Sequence, residues 1–357
     1  MKPASEQSEI PPPQDMQPIL PKGSLSEIEP KKKQSWLGIL ASGLVFLILI
    51  AVAIFLVWQH DLVSDWFVLR GYVPPPTVEE LASADTMNAY ATRLFYVNKP
   101  QLADKTLFNK HCSATDQVSV LGCYTGNRRG IYLYNVTDSR LAGIQQVTAA
   151  HEVLHQAYDR LSHSERDHIN QLLEAYAKTI TDTSLQAKLA TYEKIEPHDV
   201  VNEMHSIFGT EVANLPPELE QYYARYFTDR KKVIQFHDKY QAAFTEHQQQ
   251  LKDYDVRIDV MKQKIEADKT EIEAQELVLQ TDRDQLDSYT ESGRIAEYNA
   301  SVPPFNAKVI AYKNLVAETN KLIDQYNDLI GARNTIAIQE QQLEQALDSH
   351  AAAAPKQ

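Results

Sequence analysis

Residues 36–58 carry no charge, and every position is apolar or small. At about 1.5 Å per residue such a run spans a hydrocarbon core of about 30 Å, so it predicts a transmembrane helix. Trp36 and Trp58 mark its interfaces. A different pattern fills residues 230–349. Leu251, Ile258, Ile265, Ile272, Leu279 and Leu286 recur every seven residues, and Val302, Val309, Val316, Ile323 and Ile330 do so later. Tyr254 and Met261 supply the intervening seam position in the first run; Tyr298, Phe305, Tyr312 and Tyr326 do so in the second. Heptads of this kind predict two coiled-coil helices. Gly293, Pro303 and Pro304 lie between them and favour an antiparallel hairpin turning within 288–304, with a parallel intermolecular coiled coil as the alternative. The seam register runs on through the prolines, which also allows a turn at Gly293 with the prolines inside the return helix. Asn299, Asn306, Asn320, Asn327 and Asn334 read as a solvated flank.

Between these segments, residues 77–229 alternate between periods and read as a mixed α+β domain. Residues 78–95 have helical spacing. Residues 129–135 (RGIYLYN) alternate and are aromatic and β-branched, which predicts a strand. Residues 141–161 predict a long helix with Ile144, Val147, Ala150, Leu154 and Ala157 on its apolar face. Ser162 opens a capping box before a helix to about residue 178. Residues 199–209 predict a helix stopped by Gly209, and Pro216-Pro217 opens another. The remaining pieces are a Pro-, Ser- and Glu-rich tail (1–35) read as disordered, a juxtamembrane linker (59–76) ending in three prolines, and a disordered end (350–357).

Charge gives direction to this plan. Lys31, Lys32 and Lys33 precede the apolar run and Asp61 and Asp65 follow it. The positive-inside rule then places the N-terminus in the cytoplasm and residues 60–357 outside, as a single-pass protein with an uncleaved anchor. The formal net charge of −13 argues against nucleic acid as a partner. Cys112 and Cys123 both fall on the outer side, where an oxidising compartment permits a disulfide; two buried thiols are the alternative.

The chemistry concentrates in His151-Glu152-Val153-Leu154-His155. Residues four apart share a helical face, so both imidazoles can reach one zinc ion, with Glu152 beside them as general base. On an ordinary amphipathic helix these three polar groups would interrupt an apolar surface, which favours a metal site. A catalytic zinc needs a third protein ligand, and Glu203 in Val201-Asn202-Glu203-Met204-His205-Ser206 is the leading candidate, with His205 and Glu211 as rivals. His163, His168, His198, His237 and His247 lack ligand spacing and read as surface.

H-E-x-x-H followed by N-E-x-x-S on a later helix resembles the gluzincin group of zinc metallopeptidases, the thermolysin-like clan. The resemblance covers about residues 130–211. It implies a zincin-like fold, Zn²⁺ held by His151, His155 and Glu203, Glu152 as catalytic base, and a protein or peptide substrate. It also implies that the strand at 129–135 lines the cleft and pairs with an extended substrate. The chain departs from the pattern in two ways. The gap to Glu203 is long, and the Asp expected four residues after Glu203 is Ile207. Asp199 is the candidate to orient a ligand imidazole instead. Tyr158, Tyr192, Tyr222 and His205 are candidates to steady an oxyanion. The expected whole is a membrane-anchored zinc metalloendopeptidase whose coiled coil positions it, recruits a partner or self-associates. The alternative is a membrane-anchored coiled-coil scaffold or cell-envelope regulator with a structural or inactive zinc site.

Overall fold

The computed structural model describes residues 36–112, 120–126 and 130–350. The tails at 1–35 and 351–357, with the lysine and proline runs of the first, lie outside the described residues, as does Arg129 at the head of the expected strand. The chain divides into two units, residues 1–63 and 64–357.

The first unit holds α1 (Trp36–Trp58). Its stretch Leu40–Val57 has a mean hydropathy of 3.0 and is wholly unburied. A helix apolar on every face suits lipid and not a one-sided core. Among the described residues it is the one helix long and apolar enough to cross a membrane.

In the second unit, helix packing starts inside the expected linker. Helix α2 (His60–Leu69) buries Asp65 completely. Arg160 Nη2 donates to Asp65 at 2.8 Å, and Arg93 Nε lies 3.3 Å from it. A buried carboxylate without such partners would cost several kcal/mol, so this ion pair fixes Asp65 within the second unit. The helical spacing at 78–95 resolves into two helices, α3 (Pro76–Ala84) and α4 (Ala89–Val97). Thr86 at φ 54° breaks them, and Asn88 caps α4 by accepting from the backbone N–H groups of Tyr90 and Ala91.

A three-stranded sheet follows, from β1 (Gln101–Ala103), β2 (Gly122–Tyr124) and β3 (Ile131–Tyr134), in the order β1-β3-β2. The pair β1/β3 is parallel and β2/β3 antiparallel. Alternation in β3 sends Ile131 and Leu133 into the main core and Tyr132 into a second cluster with Ala103 and Phe108. Helix α5 (Lys105–His111) lies between β1 and β2. Cys112, which ends it, forms a disulfide with Cys123 on β2. The predicted strand is thus present, but it is central. Both its edges are taken, so it has no free edge for a substrate; the outer strands are β1 and β2, and of these β2 lines the cavity.

Helix α6 (Ile144–Asp159) carries the H-E-x-x-H residues and starts three residues later than its apolar pattern suggested. A short 3-10 turn (Ser139–Leu141) and Gly143 precede it. Gly143 has φ +113°, and a Cβ there would lie 2.6 Å from the Phe236 carbonyl oxygen. Helix α7 (His163–Ala177) has the predicted capping box between Ser162 and Glu165. Helix α8 (Thr183–Ile195), capped by Asp182, is an element the sequence reading missed. Helix α9 (Val200–Glu211) runs through Gly209, the expected stop. That glycine serves packing, since a Cβ would lie 2.4 Å from Leu154 Cδ1. Helix α10 (Pro217–Tyr223) opens at Pro217 as expected. Leu94, Phe95, Leu154, Phe208 and Tyr223 form the centre of the core, each fully buried.

Helices α11 (Arg230–Glu291) and α12 (Ile295–Leu347) form the hairpin. The turn lies at Gly293, φ +69°, and Pro303 and Pro304 sit inside α12. Arg333 pairs with Asp255 at 2.9 Å and Lys308 with Asp282 at 2.6 Å, which fixes an antiparallel register within one chain. The asparagine flank is exposed, as expected. At 1.5 Å per residue the 62-residue α11 is about 93 Å long. Its root is part of the domain. Val233 joins the main core. Arg230, nearly buried, donates to the carbonyls of Val212 (2.6 Å) and Ala213 (3.2 Å) and pairs with Glu220. At the other root Leu343 packs on Leu141 and Ile144, and Ser349 Oγ donates to the Val120 carbonyl at 2.7 Å. The change of periodicity at 229/230 therefore falls inside a packed unit.

Candidate metal centre

Helix α6 places His151 and His155 one turn apart, and α9, packed across it, brings Glu203 to both. His155 Nε2 lies 3.3 Å from Glu203 Oε1, and His151 Nε2 lies 3.5 Å from Glu203 Oε2. One donor atom from each of the three falls within 4.8 Å of the others, a group that could hold a metal ion. The residues fit such an ion on a specific observation. Glu203 Oε2 is buried and has no hydrogen bond of normal geometry, its His151 Nε2 neighbour standing off at 3.5 Å, while two imidazole edges face its carboxylate. Buried carboxylate oxygens without partners are uncommon, and a cation between the three side chains satisfies this one.

Electrostatics bind the group together. Burial is the largest influence on Glu203 and favours its neutral form, but the His151 and His155 imidazoles outweigh it and hold the carboxyl below its ordinary value. Burial likewise works against protonation of His151, and the charges of Glu203, Glu152 and Glu211 overcome it, raising its pKa. Glu152 moves the other way. Burial raises it, against the two imidazoles and a hydrogen bond from the Tyr124 backbone N–H. A carboxyl raised in this manner is poised to exchange a proton nearer neutrality.

The orienting residue differs from the one expected. Asn202 Oδ1 meets His155 Nδ1 at 3.0 Å, and Asn202 Nδ2 in turn donates to Asp199 at 3.2 Å. Asp199 therefore acts one step back from the imidazole. The signal for Asn202 was its place in the N-E-x-x-S string, and its role needed the crossing of α9 over α6 to be visible. His205 is removed from the ligand group. It is fully buried among Tyr158, Tyr222, Tyr223 and Tyr226, its Nε2 bonds Tyr222 Oη at 2.8 Å, and burial lowers its pKa to about 3. Glu211 pairs with Lys188 and lies 3.7 Å from His237. His237 is thus tucked against the domain and is not a surface residue; His247 is also partly buried, whereas His163, His168 and His198 are exposed.

A cavity of about 480 Å³ opens over these groups. Residues 120–124 form one wall, α6 the floor, and α8, α9 and Tyr240 of α11 the rest. Gly122 is where β2 meets α6, since a Cβ there would lie 2.5 Å from Thr148 Cγ2 and 2.6 Å from Glu152 Oε1. The backbone of β2 alternates. On either side of it Leu121 O accepts from Tyr134 N of β3 and Thr125 N donates to Gly130 O just before β3, so the N–H and C=O groups of Gly122 and Tyr124 point to the outer edge. Of Tyr158, Tyr192 and Tyr222, only Tyr192 lines the cavity; Tyr158 Oη donates to Asn170 and Tyr222 belongs to the His205 cluster. At the end near the α6 C-terminus stand Glu196 and Asp199; burial raises both, Glu203 raises both further, and the Asn202 hydrogen bond and His155 pull Asp199 partly back. No family model matches the chain, and no curated protein or solved structure matches it either.

Proposed function

We propose that this chain is a membrane-anchored zinc metallopeptidase of gluzincin type, cutting peptide bonds on the far side of the membrane from its N-terminus. The observation that carries the reading is the buried, unbonded Glu203 Oε2 facing His151 and His155, with Glu152 beside them in the same cavity. His151, His155 and Glu203 would hold the ion, and a zinc ion so bound supplies a Lewis acid and a water acidic enough to act near neutral pH. Glu152, held by the Tyr124 N–H, takes up a proton on its carboxylate and returns it to the leaving amine. Asn202 holds the His155 ring and its tautomer. The free edge of β2 receives an extended peptide through main-chain hydrogen bonds at Gly122. Tyr192 is the side chain on hand to donate to a developing oxyanion. The positive-inside pattern around α1 supports an extracytoplasmic cavity, and the Cys112–Cys123 disulfide suits that compartment.

The test is zinc per chain in the full-length protein in detergent, beside His151→Ala, Glu203→Ala and Glu152→Gln. The expected result is about one zinc in the parent and in Glu152→Gln, sharp loss in the other two, and peptide cleavage by the parent alone. A parent that takes up no zinc on reconstitution would overturn the proposal. Zinc uptake with turnover unaffected by Glu152→Gln would leave the scaffold with a structural zinc.

A further inference from the structure

Between Ser64 and Asp255 three large apolar side chains are exposed among the described residues, and all three lie in the first ten positions of that stretch. Trp66 is 58% exposed, Phe67 62% and Val73 81%. The burial of Asp65 against Arg93 and Arg160 explains why the first two face outward. Successive residues step about 100° round a helix, so α2, anchored at Asp65, turns Trp66 and Phe67 away from the core. Their rings meet edge-on with centroids 4.9 Å apart, and the Arg70 guanidinium lies 5.6 Å from the Trp66 centroid. The patch is therefore held in one arrangement, with a cation at its rim.

Area and chain length together say what covers this patch. Aromatic side chains bury at most about 250 Å² each, so three residues fall short of the about 800 Å² per partner that a stable protein interface needs. A surface to which the chain is already tethered needs no such area, because the contact is then intramolecular. Trp66 stands eight residues after Trp58, the last residue of α1. At about 3.5 Å per residue it lies no more than about 28 Å from the end of that helix, within reach of the headgroup layer that borders a bilayer's hydrocarbon. Tryptophan and arginine, each with an apolar body and a polar tip, are the side chains suited to that layer. We infer that Trp66, Phe67 and Val73 seat the second unit on the headgroup layer of the membrane that α1 crosses, with Arg70 turned to the lipid phosphates. The seat is a second hold on lipid beside the span. It takes α1 as the span and stands apart from the peptidase reading.

With three tryptophans in the chain, Trp66 can be made its own reporter. The full-length chain carrying Trp36→Phe and Trp58→Phe is placed in phosphatidylcholine nanodiscs, one chain to a disc. Some discs carry lipid brominated near the headgroup end of the acyl chains, some near the methyl end, and some none. A ring seated at the surface lies about 5–10 Å into the headgroup boundary, so shallow bromines should remove at least about twofold more of the Trp66 emission than deep ones. Iodide in the water should quench that emission at least about threefold less than it quenches free tryptophan. Phe67→Ser with Val73→Ser, both on the exposed face, should lose most of the shallow quenching while the circular dichroism melt stays with the parent's. Emission untouched by either bromolipid would overturn the inference: the face would be open to water if iodide reaches it and covered by protein if not. Stronger quenching by the deep bromines would also overturn it, because the segment would then lie in the hydrocarbon. A double variant quenched as strongly as its parent would show that the tether alone brings Trp66 near lipid, and would sink the seat. Zinc content and turnover, which test the peptidase reading, bear on none of these outcomes.

Discussion

Gly122→Ala adds one methyl group at the point where the cavity's edge strand touches α6, the helix of the two histidines. The new Cβ would lie 2.5 Å from Thr148 Cγ2, 2.6 Å from Glu152 Oε1 and 2.8 Å from Glu152 Cγ. Ordinary contact needs about 3.5 Å or more, so something must give by about 1 Å. Both obstructing side chains stand on α6, and Glu152 is the one that must swing or be left behind as β2 lifts. Either outcome breaks the hydrogen bond from the Tyr124 N–H. Gly122 does not have a positive φ, so the effect comes from contact alone. Overpacking of this kind costs about 1–3 kcal/mol of stability. A catalytic group misplaced by about 1 Å costs about 100-fold in rate, or about 2.7 kcal/mol. None of His151, His155 or Glu203 is among the atoms nearest the new methyl, so zinc content should hold. The assays are zinc stoichiometry, thermal unfolding and kcat/KM on a peptide that the parent cuts. Loss of turnover with zinc retained and Tm lowered by a few degrees is expected. A variant with unchanged Tm and kcat/KM within about twofold would refute the idea that this contact positions Glu152.

Asn202→Ala should weaken zinc binding about 10–100-fold, measured by competition with a chelator, while Asn202→Asp, which keeps an acceptor for His155 Nδ1, should lose less. Asp85 is fully buried, neither carboxylate oxygen has a hydrogen-bond partner, and burial raises its pKa well above the ordinary value. Above about pH 4 the unfolded chain gives up this proton before the folded one does, so the group lowers stability as pH rises. Asp85→Asn should therefore raise Tm more at pH 7 than at pH 4; an equal change at both would refute this. Replacing Cys112 and Cys123 by serine opens a short loop and should cost about 3 kcal/mol, read by urea unfolding. Deleting residues 230–349 should unfold the domain, because Arg230, Val233 and Leu343 go with them. Removing one heptad from each arm near the turn should leave the circular dichroism melt and zinc content close to the parent's.

The sequence announced the parts whose signal is local. The apolar run of α1, the heptads of the hairpin and the Ser162–Glu165 capping box each depend on spacing within one segment, and each is present. The two histidines and Glu203 were readable as a string, and the fold brings them together. What escaped depended on partners far along the chain. Gly122 looks like a loop residue until α6 lies against it. Gly209 looks like a helix stop until Leu154 is seen beside it. Asn202 has no distinctive chemistry without His155 on a crossing helix. Strand β3 was found by its alternation, but alternation does not say whether a strand is central or at an edge. The heptad pattern marked where a new periodicity begins, and the core reaches past that mark through Arg230 and Val233.

The ties between Ser349 and Val120 and between Asp348 and Lys105 also set the order in which this molecule can be completed. All three candidate ligands are synthesised before residue 204, yet the lead into the cavity's edge strand gains its last partners only when residues 348–349 emerge. Contacts separated by about 230 residues form late, because closing so long a loop costs entropy before any contact repays it. A nascent chain thus carries the histidine pair and the carboxylate well before it carries a finished cavity wall. The return arm of the hairpin therefore has to fold back onto the domain before the stretch leading into β2 gains the Ser349–Val120 bond.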